Sequence, residues 1–140
     1  MRYLTFSLDV DDGWPPVAAE GMPLAEEAEG LRILTPPLFI KDLSVGDYIE
    51  VLEESDDQVF RWRLIRKSDH STVWVMPNKR NIQRELEELR GLGCSTASFP
   101  GELICAIDLP PNVAPAELDK RFGPLAPGVA VAYPAWRHED

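Results

Sequence analysis

The sequence predicts an α+β fold in two parts: a small antiparallel, barrel-like β-sheet over residues 1–68, and a ferredoxin-like β-α-β-β-α-β half over residues 69–140. Two observations predict it. Up to residue 68 there are five short stretches of strand character separated by turn residues, which is typical of a curled antiparallel sheet or partial barrel. After residue 68, four strand-like stretches are interrupted by two helix-like ones, in the order of the split β-α-β fold.

The first half is read as strands because apolar and polar residues alternate. In YLTFSLDV, Leu4, Phe6 and Leu8 fall on one face. The following DDGWPP is a turn, since Gly13 tolerates positive φ. Residues 17–35 favour a hairpin with its turn at Glu29-Gly30, although LAEEAEG alone has helical composition. Residues 48–52 and VFRWRLIRKS form the last two strands around the acidic turn ESDDQ, and in the second of these Phe60, Trp62 and Leu64 alternate with Arg61, Arg63 and Ile65.

The second half contains both the two-residue alternation of strands and the 3.6-residue periodicity of helices. STVWVMP predicts a strand, and NKRNIQRELEELRGLG predicts a helix that Asn78 can cap and that carries an apolar stripe of Ile82, Leu86 and Leu89. Strands follow in CSTASFP and ELICAIDLP. PAELDKRFGPL predicts a short helix with Pro115 in its first turn, and VAVAYPAW predicts the last strand.

The net charge and the cysteine content of the sequence favour some classes of function over others. The net charge is −10, and the first half carries most of it: 7 basic and 14 acidic residues (7 − 14 = −7) against 7 and 10 (7 − 10 = −3) in the second half. Such a surface repels phosphate backbones and favours a basic protein partner over nucleic acid. Cys94 and Cys105 stand in apolar surroundings and are expected to be reduced core residues. We find neither a signal peptide nor a membrane-spanning stretch, so we expect a cytoplasmic protein with no membrane partner.

The stretch KSDHSTVWVM raises the question of catalysis, because Asp69, His70 and Ser71 adjoin each other. Neighbours along a strand point to opposite faces, whereas a catalytic triad is assembled from distant segments. We therefore predict no catalytic residues. DVDDGW lacks the further oxygen ligands of a calcium loop, and neither zinc spacing nor a glycine-rich nucleotide loop is present. No metal or cofactor is predicted.

Several stretches together resemble the bacterial family called domain of unknown function 4265. They are DVDDGWPPVAAEGMPLA, PLFIKDLSVGDYIEV, DHSTVWV, LRGLGCS and LICAIDLPPNV, spread over residues 3–136. The family has no assigned reaction. The resemblance therefore implies a shared fold and a bacterial cytosolic context, and it implies no catalytic residues.

The leading functional prediction is a non-catalytic acidic protein-binding module, most concretely an immunity-type antitoxin that blocks a basic toxin. Two alternatives stay open. One is a small-molecule sensor with a ligand cleft between the two halves, and the less favoured one is a hydrolase that uses His70. The candidate binding residues are Asp11, Asp12, Trp14, Glu53, Glu54, Asp56, Asp57 and His70.

Overall fold

The computed structural model describes residues 1–78, 80–101, 103–123 and 128–138, and it confirms the α+β class. The first half forms a closed barrel, and the second half forms a four-stranded sheet with two helices. The barrel strands are β1 Arg2–Ser7, β2 Ala19–Glu27, β3 Gly30–Ile33, β4 Tyr48–Ser55 and β5 Gln58–Arg66. The remaining elements are β6 Ser71–Met76, α1 Gln83–Gly91, β7 Thr96–Ser98, β8 Cys105–Leu109, α2 Ala116–Phe122 and β9 Ala130–Ala135.

The barrel closes through a parallel pair of strands. Sequential strands β1 to β5 pair antiparallel, and the β2–β3 hairpin predicted from the sequence is confirmed. Because a meander of five strands has its first and last strands running in the same direction, β1 meets β5 in parallel, with Thr5 opposite Gln58 and Phe6 opposite Val59. The predicted partial antiparallel barrel is therefore complete, and its seam is parallel.

Three bulges bend the β4–β5 hairpin. The cross-strand register leaves Leu52, Phe60 and Ile65 without opposite residues. An extra residue bends its strand and increases the local twist, which a five-stranded barrel needs in order to close. The bulges also decide which side chains reach the core: Trp62 and Leu64 pack inward, but Phe60 is exposed. The predicted alternation is thus wrong at Phe60, where the bulge shifts the phase.

The barrel core follows from the alternation of the other strands. Leu4 and Phe6 of β1 meet Met22 and Leu24 of β2, and all four are buried. Each strand therefore contributes one apolar face to the interior and leaves its polar face to the solvent.

The second sheet has the strand order β7-β8-β6-β9, with every pair antiparallel. Central strand β6 is buried on both faces. Val73 and Val75 pack with Leu86 of α1 and Leu118 of α2. On the opposite face Trp74 packs with Leu38 and Phe39 from the β3–β4 loop, and its indole N–H donates to the Pro37 carbonyl at 2.8 Å. The two halves consequently share an apolar interface.

The two helices differ in how well their starts were predicted. Helix α2 begins after Pro115, as predicted. Helix α1 begins only at Gln83, and the expected cap Asn78 lies upstream with φ of +53°. The N-cap position is Ile82, which has no capping side chain, and the side-chain oxygen of Asn81 just before it accepts the Gln83 N–H at 3.0 Å. Within the described residues, the structure contains no helix long and apolar enough to cross a membrane.

Candidate functional site

His70 lies in the loop between β5 and β6, against a buried aspartate of β8. Its Nδ1 is 2.7 Å from Oδ1 of Asp108, and Ser95 donates to Oδ2 of the same carboxyl at 3.4 Å. Burial raises the pKa of Asp108, while the hydrogen bond from His70 acts in the opposite direction. This pairing orients the imidazole, as a carboxylate does for a general base. No hydroxyl or thiol of the described residues hydrogen-bonds to His70 Nε2.

Ser71 contacts His138, whereas its neighbour His70 contacts Asp108. Its buried Oγ lies 2.7 Å from Nδ1 of His138 and accepts the Arg137 backbone N–H at 2.7 Å. His138 Nε2 is 2.9 Å from the Pro110 carbonyl, which can only accept, so this nitrogen carries the proton and Nδ1 accepts from Ser71. The hydroxyl therefore fastens the chain after β9 to β6 and is closed to a substrate.

Arg137 links the two halves through an ion pair with Asp47. Asp47 is fully buried, and its carboxylate receives both terminal nitrogens of Arg137 and the backbone N–H groups of Ser44 and Ser68. Arg137 also donates to the Asp42 carbonyl at 3.1 Å. Nearby, the Thr72 hydroxyl meets that of Ser44 at 2.8 Å. We call this group the polar junction: Asp47, His70, Ser71, Thr72, Asp108, Arg137 and His138.

The predicted acidic residues of β4 and β5 surround a tight turn. Asp56 and Asp57 have φ of 51° and 63°, the positive pair that a two-residue type I′ hairpin turn requires. Arg2 of β1 donates to Glu54 at 2.9 Å and to Asp57 at 3.1 Å. Glu53 stands opposite Arg61 across the hairpin. The structure thus brings Glu54 and Asp57 together on Arg2, and leaves Glu53 and Asp56 exposed.

An acidic cleft adjoins this hairpin. Its volume is about 490 Å³, and one arginine, Arg2, lines it together with five glutamates: Glu26, Glu27, Glu29, Glu50 and Glu54. Further arginines bind some of these carboxylates, with Arg32 on Glu27 and Arg66 on Glu29 at 2.6 Å each. Hydrogen bonds from Tyr48 and Arg32 lower the pKa of Glu27. Arg2, Arg32, Arg66 and, through Glu50, Arg63 offset four of the five glutamate charges, so the cleft keeps an excess of one carboxylate (5 − 4 = 1).

The Trp14 loop is a second tight turn, at the other end of β1 from Arg2. Asp11 and Trp14 exchange two backbone hydrogen bonds, of 2.9 and 3.0 Å, around Asp12 and Gly13 at positive φ. The Trp14 ring is 44% exposed and meets Phe39 edge to face, with 5.8 Å between centroids. The predicted contact residues consequently fall in separate places: the acidic hairpin, the Trp14 loop, and His70 in the junction.

Comparison with known proteins identifies the family. The model of the family described as domain of unknown function (DUF4265) matches residues 20–126, which is most of the chain. The chain belongs to this family. The DUF4265 match includes the acidic hairpin, His70 and Asp108, whereas the Trp14 loop, Arg137 and His138 lie outside it. No curated protein matches the chain.

A solved structure shares the fold of this DUF4265 protein. It is described as "Novel crystal structure of a hypothetical protein from Neisseria gonorrhoeae" and superposes with a TM-score of 0.73 at 18% identity. The superposition covers 99% of this chain and 96% of that one. At this identity the likeness shows the fold alone.

Sequence reasoning missed most of the polar junction and most of the acidic cleft. Asp108 offered a signal, because a single charged residue in the apolar run LICAIDLP must find a buried partner. Asp47 and Arg137 are 90 residues apart, and no local pattern joins them. The glutamates of the cleft come from β2, β4 and the turn of the β2–β3 hairpin, so only the folded sheet brings them together.

Proposed function

We propose that this DUF4265 protein is a non-catalytic acidic module that captures a basic protein partner through the outer side of the β4–β5 hairpin. One observation carries the proposal. The three bulged residues Leu52, Phe60 and Ile65 are large and apolar, yet they are 45%, 48% and 46% exposed. Barrel closure explains the extra residues at these positions, but it does not explain why their side chains are apolar.

Charge surrounds these apolar side chains. The cross-strand pairs Glu53 with Arg61 and Glu50 with Arg63 lie between them. We call this surface the hairpin face: Glu50, Leu52, Glu53, Phe60, Arg61, Arg63 and Ile65. The acidic turn and the acidic cleft adjoin it. Apolar anchors within a charged rim are the usual anatomy of a protein–protein interface, and the negative field would speed encounter with a basic partner.

The polar side chains that could act in catalysis are buried and hydrogen-bonded within the protein, which supports a non-catalytic role. Ser71 and Thr72 are buried and hydrogen-bonded within the polar junction. Burial raises the pKa of Cys94 to about 11, with Asp108 adding to the effect, so the nucleophilic thiolate is disfavoured at neutral pH. An immunity-type protein that masks a basic toxin in the cytoplasm is the specific form of the proposal.

The second half would act as the rigid base of this module. Its β-α-β-β-α-β succession and the strand order β7-β8-β6-β9 support a ferredoxin-like assignment. The polar junction and the Trp74 contacts fix this base to the barrel. The hairpin face would thus be presented without a large ordering cost on binding.

Site-specific photocrosslinking tests the proposal. A benzoylphenylalanine replaces Phe60 in one variant and Tyr133, 52% exposed on β9, in the control, and both are expressed in the native host. We expect one protein with an excess of lysine and arginine to crosslink at position 60 only. Equal capture at both positions, or no capture at position 60, would contradict the proposed surface.

The charge component is tested with the purified crosslinked partner. Asp56→Asn with Asp57→Gly removes two charges but keeps residues that favour the type I′ turn. Glu87→Gln with Asp119→Asn removes two exposed charges from the helices as a matched control. We expect the association rate at low ionic strength to fall at least about fivefold in the hairpin variant and less than about twofold in the control. Equal rates for the two variants would refute local steering.

A further inference from the structure

A larger cleft lies where the Trp14 loop of the barrel meets the second half. Its volume is about 690 Å³, within the range of roughly 300–1,000 Å³ that is usual for small-molecule sites. We call it the interhalf cleft. Its described lining combines the apolar side chains of Trp14, Met76 and Leu103 with the amides of Asn78, Asn81 and Gln83 and the basic side chain of Arg80.

The interhalf cleft has a preformed aromatic wall. The double hydrogen bond between Asp11 and Trp14 fixes the loop backbone, and the edge contact with Phe39 fixes the indole ring. Leu103 is exposed, and Met76 is half-buried beside it in the lining. A flat ligand against Trp14 would remove these apolar surfaces from water at little ordering cost.

Side-chain amides supply the polar groups of the interhalf cleft. Asn81 uses its oxygen on the Gln83 N–H, which leaves its NH₂ group as a donor. Asn78 makes no side-chain hydrogen bond to the described part of the chain, and it has φ of +53°. An amide places a donor and an acceptor in one plane, the arrangement with which asparagine reads the edge of a nucleobase.

The charge of the lining argues against a cationic ligand. Among the described residues that line the interhalf cleft there is no carboxylate to hold a cation, and Arg80 is the charged side chain. We propose that the interhalf cleft binds a nucleobase-type heterocycle, as a free base, a nucleoside or a nucleotide, with the base stacked on Trp14 and hydrogen-bonded by Asn78 and Asn81. This site is separate from the hairpin face and does not depend on it.

Nuclear magnetic resonance can test this with defined probes. Adenosine, guanosine, cytidine and uridine are titrated into ¹⁵N-labelled protein beside their 5′-monophosphates, and the Trp14 indole signal is assigned by its loss in Trp14→Leu. We expect at least one nucleoside and its monophosphate to shift this signal and the Asn78 amide signal, because the base makes the proposed contacts in both compounds.

The variants complete the test. Trp14→Leu should weaken binding at least about tenfold, as loss of a stacking platform does. Asn78→Gly keeps the positive φ accessible and should also weaken binding, whereas Tyr133→Leu removes an exposed aromatic side chain of another cleft and should have no effect. The proposal is overturned if all four nucleosides leave the Trp14 signal unchanged at millimolar concentration, or if Tyr133→Leu weakens binding as much as Trp14→Leu.

Discussion

Replacing Arg137 by alanine should remove the main polar link between the barrel and the second sheet. The Asp47 side chain is fully buried, and that of Arg137 is 11% exposed. Without Arg137 the Asp47 carboxylate keeps, among partners in the described part of the chain, only the N–H groups of Ser44 and Ser68. Leaving one buried charge without its partner costs about 3–5 kcal/mol, and the two hydrogen bonds lost between the guanidinium and Asp47, at about 1.5–3 kcal/mol each, give a similar total. We expect Arg137→Ala to lower the free energy of unfolding by this amount.

Urea unfolding followed by tryptophan fluorescence and circular dichroism measures the effect. Arg63→Ala is the matched control, because it breaks the Arg63–Glu50 pair, whose side chains are 64% and 46% exposed, and should cost less than about 1 kcal/mol. The backbone N–H of Arg137 still reaches Ser71 in the variant, so only the guanidinium contribution is tested. If Arg137→Ala costs no more than Arg63→Ala, the polar junction does not hold the halves together as argued.

Three further predictions concern buried groups. Burial raises the pKa of Glu20 above its ordinary 4.5 although the Leu38 and Phe39 N–H groups oppose it, so the native state binds this proton more tightly than the unfolded chain. The free energy of unfolding of the wild type, relative to that of Glu20→Gln, should therefore fall as the pH rises from 4.5 through the raised pKa of Glu20. Urea unfolding of both proteins across this pH range measures the difference. A difference that stays constant or grows with pH contradicts the prediction. Cys94, with a pKa of about 11, should react with an aromatic disulfide at least about a hundredfold more slowly in the native protein than in urea, and comparable rates would show that the thiol is accessible. Ser71→Ala should cost about 1–3 kcal/mol, because it strips the Arg137 N–H and His138 Nδ1 of their partner, whereas Ser55→Ala at an exposed position should cost less than about 0.5 kcal/mol.

Local patterns in the sequence were sufficient for most elements of the fold. The alternation of Leu4 and Phe6 with polar neighbours predicts β1 because one face of that strand is buried. The same reasoning fails at Phe60. A bulge inserts one extra residue into the strand, so the side chains before and after it no longer follow a single alternation between the two faces. A bulge depends on the curvature of the whole barrel, and the alternation of one strand carries no information about it.

The helix start shows a second kind of limit. Asn78 and Asn81 are both acceptable caps by residue type. The chain places Asn78 at the end of β6, where the positive φ of a sharp turn uses the tolerance of asparagine for that conformation. Tertiary geometry, and not intrinsic preference, therefore decides which asparagine meets the first turn of α1.

The acidic residues predicted as contacts have two explanations that the sequence cannot separate. Asp12, Asp56 and Asp57 all adopt positive φ, a conformation that aspartate tolerates better than most residues, so turn geometry alone accounts for their presence. Arg2 in turn neutralises part of the charge of Glu54 and Asp57. Neither explanation accounts for the apolar side chains of Leu52, Phe60 and Ile65, because a bulge on a solvent-facing strand accepts a polar side chain as readily as an apolar one. The argument for a partner therefore depends on these three apolar residues, and the surrounding acidity specifies only the charge of that partner.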